Sequence, residues 1–316
     1  MNLIDLQKTF KTDDDALEYL AQLRWPDGVR CVTCGTDKVK LYTSPTKKQP
    51  NRKVYQCQEP TCKQQFTTTA GTIFHDTHLP LTKWFAALAL IADAKKGISA
   101  KQLQRHLGTS YKAAWYLAHR IRKAMEETDK TPLTGIVEMD ETYIGGKTIR
   151  RKNRGKSRYE SKDAVFGLVE RGGRLRFRYL GKGSATSKKI GPIVRENVSR
   201  DVQRVITDES SIYPFAFDGY CASKHETIAH KYEYVRGDVH TNTIESAFSL
   251  LKRGIMGSFH SISIKHLSRY LSEFEYRFNR REEPDRFEET LARMTRVKPM
   301  PFATLTAEEP VSPSQV

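Results

Sequence analysis

Four cysteines in two pairs constrain the first part of the chain more tightly than any other feature. Two residues separate Cys31 from Cys34, four separate Cys57 from Cys62, and 22 residues lie between the pairs. Two such pairs can converge on one tetrahedral centre, the closed four-thiolate arrangement of a structural zinc, so one Zn²⁺ per chain is expected. The alternative is a disulfide framework, which needs an oxidising compartment. The stretch from Met1 to Phe10 has no apolar leader to take the chain there, and the zinc reading is adopted. Around the pairs, Gly35 follows the first, and residues 54–57 and 65–68 have the composition of short strands. Lys47, Lys48, Arg52 and Lys53 decorate the intervening loop. A ribbon of this size folds on its metal. The fifth cysteine, Cys221, stands alone.

Fifty-three Lys and Arg against 37 Asp and Glu give a formal charge of +16 over 316 residues, which suits a polyanionic partner. Nucleic acid is the first such partner, but anionic membrane surfaces and acidic proteins attract the same patches, so placement has to decide. Only 38% of residues are hydrophobic, and no apolar run approaches the ~20 residues needed to cross a bilayer. No membrane is expected as a partner.

From Leu79 the apolar spacing becomes helical, with Trp84, Phe85, Leu88, Ile91 and Ala92 on one stripe that stops at Gly97. A second helix is announced by Ser99-Ala100-Lys101-Gln102, which has the form of a capping box, and ends before Gly108. A third starts near Ser110, where Ala114, Leu117, Ala118, Ile121 and Met125 form a core stripe. Lys112, Tyr116, His119, Arg120 and Lys123 lie mostly to one side of it. A short turn followed by a basic, aromatic helix is a helix-turn-helix pattern suited to a DNA major groove; the same pattern also describes an ordinary three-helix bundle with a solvated face.

Pro132 breaks the chain before a segment of different character. Strands are expected at residues 136–144, 164–169, 175–180 and 204–207. Helices are expected between 186 and 198, interrupted at Gly191-Pro192, and around 243–253 and 264–280. Three strands, a helix, a strand and further helices describe a mixed α/β layer fold. Between the first two strands, Lys147 to Arg158 holds seven basic residues and no acidic one, with Arg150, Arg151, Lys152 and Arg154 at its centre. It reads either as a phosphate-gripping arm or as a solvated excursion. Beyond Pro299 the composition, rich in Pro, Ser and Thr, is that of a disordered tail.

Three carboxylates of this region are candidates for chemistry. Asp140 interrupts a partly apolar strand, where an unpaired buried charge is costly unless a cation compensates it. Asp208 ends the strand Val205-Ile206-Thr207, at the kind of edge where sites of α/β proteins form. Glu245 lies at a helix start. Each has a plainer reading: an ion pair with an arginine for Asp140, a helix cap for Asp208, a capping box with Asn242 for Glu245. Together they could bind Mg²⁺ or Mn²⁺, which prefer hard oxygen ligands and need few from the protein when water and phosphate complete the shell. Two such ions serve in-line displacement at a phosphodiester.

Three motifs carry a specific resemblance: Arg24-Trp25-Pro26-Asp27-Gly28 leading into the first cysteine pair, Met139-Asp140-Glu141-Thr142-Tyr143-Ile144-Gly145-Gly146-Lys147, and His240-Thr241-Asn242-Thr243-Ile244-Glu245 followed by Leu250-Leu251-Lys252-Arg253-Gly254. In these, and over nearly its whole length, the chain resembles insertion-sequence transposases of the DDE class that carry an N-terminal zinc ribbon. The resemblance implies an α/β fold: a ribonuclease H-like mixed sheet with flanking helices, preceded by a zinc ribbon and a helix-turn-helix domain. Carried over residue by residue, it assigns the catalytic acids to Asp140, Asp208 and Glu245, with two Mg²⁺ or Mn²⁺ ions. His240 and Asn242 support them, and Lys252, two helical turns beyond Glu245, grips a DNA phosphate. Glu141 faces the opposite side of the strand from Asp140 and is assigned a structural place.

The expected division is a helical segment at 1–26, the zinc ribbon at 27–78, the helix-turn-helix domain at 79–130, the catalytic domain at 134–290 and a disordered tail at 291–316. The expected partners are double-stranded DNA, as transposon ends and target, and further copies of the chain when bound to it, in the cytoplasm at a bacterial nucleoid. A transposase-derived regulator that binds without cutting, a nuclease without strand transfer and a zinc-ribbon RNA-binding protein are the alternatives.

Overall fold

A capping box opens the second helix: Thr12 accepts the Asp15 amide at 3.2 Å while the Asp15 carboxylate accepts the Thr12 amide at 2.8 Å. This helix, α2 (Asp13–Arg24), follows a short α1 (Leu3–Thr9) and is tied to the start of α3 (Leu81–Asp93) through Asp13, which accepts both the amide and the hydroxyl of Thr82 at 3.1 Å. The computed structural model describes residues 3–46, 52–145, 159, 161–229 and 236–307. Lys47, Lys48, Arg150, Arg151, Lys152 and Arg154 lie outside these, as do residues 308–316.

The chain divides into two compact units, Met1–Ala94 with Ile98–Met125 and Glu282–Ala307 in the first, and Lys95–Gly97 with Glu126–Arg281 in the second. In the first, three short strands form an antiparallel sheet: β1 (Val39–Thr43), which the sequence did not announce, β2 (Lys53–Cys57) and β3 (Gln65–Phe66). The α3 stripe behaves as its spacing requires, with Trp84, Phe85, Leu88, Ile91 and Ala92 all buried. Ser99 caps α4 (Ala100–Leu107), Gly108 ends it with a left-handed φ of 57°, and Ser110 caps α5 (Tyr111–Ala124) by accepting the Ala113 amide. Two helices joined by a short turn at Gly108–Ser110 are therefore present, as expected.

Two helices correct the expectation of a disordered tail from residue 291. Helix α10 (Arg286–Arg296) buries Phe287, Leu291 and Met294 and packs on α2, α3 and α5, while α11 (Phe302–Thr306) lies beside Tyr116. Phe287, Leu291 and Met294 recur at helical spacing, but three apolar residues in a short charged segment make a weak period beside the Pro-rich stretch that follows. Residues 282–307 thus belong to the helical unit rather than to a catalytic domain ending at 290.

The second unit is built on a five-stranded sheet, β4 (Ile136–Ile144), β5 (Asp163–Glu170), β6 (Leu175–Lys182), β7 (Arg204–Asp208) and β8 (His225–Ile228), in the order β6-β5-β4-β7-β8. The first three strands are antiparallel, and β7 and β8 run parallel to β4. Helices cover both faces. Val137 and Met139 of β4 and Ala164, Phe166 and Leu168 of β5 meet α6 (Ser187–Asn197) and α7 (Ile212–Phe217) on one side. Val165 and Val169 of β5 and Phe177 of β6 meet α8 (Asn242–Gly254) and α9 (Leu267–Asn279) on the other. Burial on both faces is why β5 reads as a continuous apolar run instead of an alternating one. Strand order and helix placement are those of the ribonuclease H-like fold. Helix α6 runs through Gly191-Pro192 without the expected interruption, and Gly191 lets the Ala216 carbonyl of α7 approach within 2.8 Å of where a Cβ would stand.

Candidate active site

The four thiols of the ribbon converge: their sulfurs all lie within 4.8 Å of one another, with Cys31 to Cys62 at 3.8 Å and Cys34 to Cys57 at 3.6 Å. A tetrahedron with Zn–S bonds of about 2.3 Å has edges of about 3.8 Å, so the cluster has the dimensions of a zinc site. Disulfide sulfurs sit at about 2.05 Å, and all four cysteines are free. Tyr55 and Phe66 stack beneath the site with centroids 5.5 Å apart, and Trp25 of the Arg24-Trp25-Pro26 motif meets both rings edge-on.

Among the described residues the four cysteines are the one group of three or more ligand-type side chains close enough to share a metal ion, and the carboxylates are placed more openly. On β4 the side chains alternate, so Glu138, Asp140 and Ile144 face α8 while Val137, Met139 and Glu141 face α6 and α7. Glu138 pairs with Ile206 across the parallel β4–β7 ladder. Two residues further along each strand, on the same face, come Asp140 in the middle of β4 and Asp208 at the end of β7. Opposite Asp140 on β5 is Gly167, whose missing side chain admits α8: a Cβ there would lie 2.6 Å from Ile244 Cδ1 and 2.8 Å from Phe248 Cζ. The first turn of α8 consequently approaches the sheet beside Asp140, bringing Glu245 with it.

The electrostatics agree with this placement. Burial and the like charges of Glu141, Asp208 and Glu245 push the Asp140 carboxyl up to about 8, opposed by one hydrogen bond from the Glu141 amide at 2.8 Å. Among the described residues, no Lys, Arg or His forms an ion pair with Asp140 or Asp208, so the plainer reading of Asp140 as an arginine partner finds no support there. Asp208 accepts the Ser210 amide at 3.0 Å, and Glu245 accepts the Thr241 hydroxyl at 2.9 Å. Asp140 and Asp208 are half-buried, whereas Glu245 is exposed, so the site opens to solvent on the α8 side. Half-buried carboxylates whose like charges repel offer the hard oxygen donors that a divalent cation prefers. Glu141 does not share this face; it accepts the Tyr213 hydroxyl at 2.7 Å, and burial raises its own carboxyl.

Comparison with known proteins bears on both halves of the chain. The family profile described as "ISXO2-like transposase domain" matches residues 132–279, and that described as "Transposase zinc-ribbon domain" matches residues 11–65. An "Uncharacterized protein in transposable element ISH50" of Halobacterium salinarum is 32% identical over 283 residues, covering 85% of this chain and 92% of its own. The chain belongs to the zinc-ribbon family of insertion-sequence transposases. Among solved structures, the Mos1 strand transfer complex matches at 14% identity with a TM-score of 0.29, over 66% of this chain and 77% of that one. The Mos1 mariner paired-end complex with Mn matches at 17% identity and 0.27, over 68% and 79%.

In this transposase-family chain the face of α5 expected to meet DNA divides in two. Lys112 and Lys123 are exposed. His119 and Arg120 are buried, which corrects their placement on an open face. Arg120 donates to the carbonyls of Ile73 and His75 and stacks over Trp84 and Tyr116, so it ties α5 to the segment after the ribbon. Tyr116 donates its hydroxyl to the Met300 carbonyl and packs on Phe302, the stretch expected to be a tail. Lys252 is exposed on α8, as its spacing from Glu245 requires, and Asn242 is exposed at the start of that helix. His240 precedes the helix and accepts the Asn242 amide through Nδ1 at 3.4 Å. Among the described residues, no helix is long and apolar enough to cross a membrane.

Reading the sequence alone missed Glu138, Gly167 and Arg171. The available signal was a glutamate on the same strand face as Asp140, two residues earlier in a run that is otherwise apolar.

Proposed function

We propose that the chain cuts DNA at transposon ends and joins those ends to target DNA, with Asp140, Asp208 and Glu245 holding two Mg²⁺ or Mn²⁺ ions. The observation that carries this reading is the half-buried Asp140 carboxyl on the face it shares with Asp208, raised by burial and by the like charges of Glu141, Asp208 and Glu245, with no ion pair to a Lys, Arg or His among the described residues. When bound, such ions activate the attacking oxygen and stabilise the leaving one. The chain's own residues do the rest. Asp140 and Asp208 hold their oxygens at fixed spacing on neighbouring strands, and Glu245 closes the set from the helix. Lys252 and the exposed Lys112 and Lys123 meet backbone phosphates, and the arm at Arg150, Arg151, Lys152 and Arg154 adds to them. With water as the attacking group the product is a cut end, and with a DNA 3′-hydroxyl it is a joined one. The family's ISH50 relative and the net charge of +16 support DNA as partner. The chain works at the bacterial nucleoid and self-associates on its two ends, with His240 and Asn242 supporting the turn that carries Glu245. The proposed boundaries are those of the ribbon at 27–78 and the helix-turn-helix at 79–130.

The test is cleavage and joining of a labelled transposon end in Mg²⁺, run beside gel-shift binding in Ca²⁺. Asp140→Asn and Asp208→Asn should each reduce both products to background while leaving binding unchanged, because a site with so few protein ligands has none to spare. Glu245→Gln should retain a small residue of activity, larger in Mn²⁺. Full activity in either Asp variant overturns the assignment, and a wild-type chain that binds its ends without ever cutting them is a regulator instead.

A further inference from the structure

Helix α8 begins without a side-chain cap of its own. Its N-cap residue, Thr241, makes no capping hydrogen bond, although the first-turn amides of a helix need partners. They find one on the sheet. Glu138 of β4, wholly buried, accepts the Thr243 amide at 2.8 Å and the Ile244 amide at 3.0 Å through Oε2, and the Thr243 hydroxyl at 2.9 Å through Oε1. Oε1 also meets Arg171 Nε at 2.7 Å and His240 Nδ1 at 3.4 Å. Arg171 in turn donates to the Asp238 carbonyl at 2.7 Å and to the His240 carbonyl at 2.9 Å, and lies 3.1 Å from His240 Nδ1. The loop leading into α8 and the first turn of α8 are thereby fastened to one carboxylate.

We infer that Glu138 is the positioning residue for Glu245, and that Arg171 and His240 complete the bracket through which it acts. The inference rests on the reading of Glu245 as a metal-holding residue. Two facts make the bracket more than a cap. Glu138 and Asp140 are two residues apart on the same face of one strand, a separation of about 6.6 Å that the extended backbone fixes. Glu245 directly follows Ile244, whose amide Glu138 holds. A single rigid strand therefore carries Asp140 and also sets where Glu245 stands relative to it. A serine or aspartate at the helix's own N-cap would satisfy the same amides without coupling helix to strand. The carboxylate also sits at the positive end of the α8 dipole, where its charge is favoured.

A role confined to folding and a role through Glu245 differ in a double-mutant cycle. The measurement is Mn²⁺ affinity of the full chain, read by the loss of the free-ion electron paramagnetic resonance signal, for wild type, Glu138→Gln, Glu245→Gln and the double variant. Amide hydrogen exchange of residues 242–247 in the metal-free protein runs in parallel. Partners that orient metal ligands are worth about 10- to 100-fold in affinity, so Glu138→Gln should weaken Mn²⁺ at least about tenfold. It should also speed exchange in the first turn of α8 while β5 keeps its protection. In the Glu245→Gln background the same change should cost less than about twofold, because the residue it acts through is gone. If Glu138→Gln fails to fold, Arg171→Gln keeps the carboxylate on the helix amides and should give a smaller loss with the same non-additivity. Wild-type affinity in a folded Glu138→Gln protein, or an equal loss in both backgrounds, overturns the inference while Glu245 keeps its role. Unchanged affinity in Glu245→Gln overturns instead the reading of Glu245 on which it rests.

Discussion

Replacing Gly167 by alanine tests how closely α8 must approach the sheet. The added Cβ would stand 2.6 Å from Ile244 Cδ1 and 2.8 and 3.1 Å from two carbons of the Phe248 ring. Both side chains are buried between sheet and helix, so neither can swing into solvent. Restoring ordinary carbon–carbon contact of about 3.5 to 4 Å requires α8 to withdraw by about 1 Å. Overpacking of this kind costs about 1 to 3 kcal/mol, offset by the roughly 0.5 to 1 kcal/mol that alanine recovers over glycine in a strand. At about 2 to 4 °C per kcal/mol for a domain of this size, melting should fall by at most about 10 °C. Activity should fall further than stability does, because a displacement of about 1 Å in a reacting group can cost about 100-fold. Calorimetry on the purified chain gives the first number and the end-joining assay the second. Shrinking the facing residues, as in Gly167→Ala with Ile244→Val and Phe248→Leu, should return much of the activity. A Gly167→Ala protein with unchanged melting and joining would refute the close-approach argument, and a loss that the smaller facing residues do not relieve would refute the helix shift.

Cys57→Ser should abolish stoichiometric zinc, measured by elemental analysis, and unfold the ribbon, since structural zinc contributes about 10 to 16 kcal/mol in small thiolate domains; a zinc-loaded variant with native circular dichroism contradicts this. Glu275, buried on α9 against Phe177 and Arg178, has its carboxyl raised from 4.5 to about 7 because burial outweighs the nearby Arg178 charge. Its folded-state value exceeds its unfolded one, so its contribution to stability is complete below about pH 4.5 and is lost as pH rises through about 7. Glu275→Gln should flatten that decline in denaturant titrations, and parallel pH profiles for the two proteins would show the sign to be wrong. Arg120→Met should destabilise the helical unit by about 1 to 3 kcal/mol by stranding the Ile73 and His75 carbonyls, whereas Lys123→Ala should leave melting unchanged and reduce the salt slope of DNA binding by about 1. The reverse pattern would return Arg120 to the DNA face.

What could be read from the sequence follows from where each interaction is encoded. The β4 to β7 strands and the main helices were legible because both sheet faces are covered, leaving unbroken apolar runs bounded by turn residues. The zinc site was legible because its ligands come in local pairs. β8 escaped because Glu226 and Thr227 give an edge strand no apolar pattern, and α7 because six residues containing Pro214 are too few for a period to show. His119 and Arg120 were misplaced for another reason. Helical spacing says which residues share a face, but not that Met300 and Phe302 will return to α5 or that the carbonyls of Ile73 and His75 will receive a guanidinium. Glu138 was invisible for the same reason, since its partners lie 105 residues further along the chain and no local pattern announces them.

The return of residues 282–307 to the helical unit sets an order of events during synthesis. All 156 residues from Glu126 to Arg281 leave the ribosome before Phe287, Leu291 and Met294 can reach α2 and α3. At ordinary elongation rates that interval is roughly 8 to 30 s. For its duration the apolar side chains around Phe85 have no cover from α10, while all five strands of the sheet have already been made. The segment made first is thus the last to close, and chaperones have their longest opportunity at the N-terminal helices rather than at the five-stranded sheet.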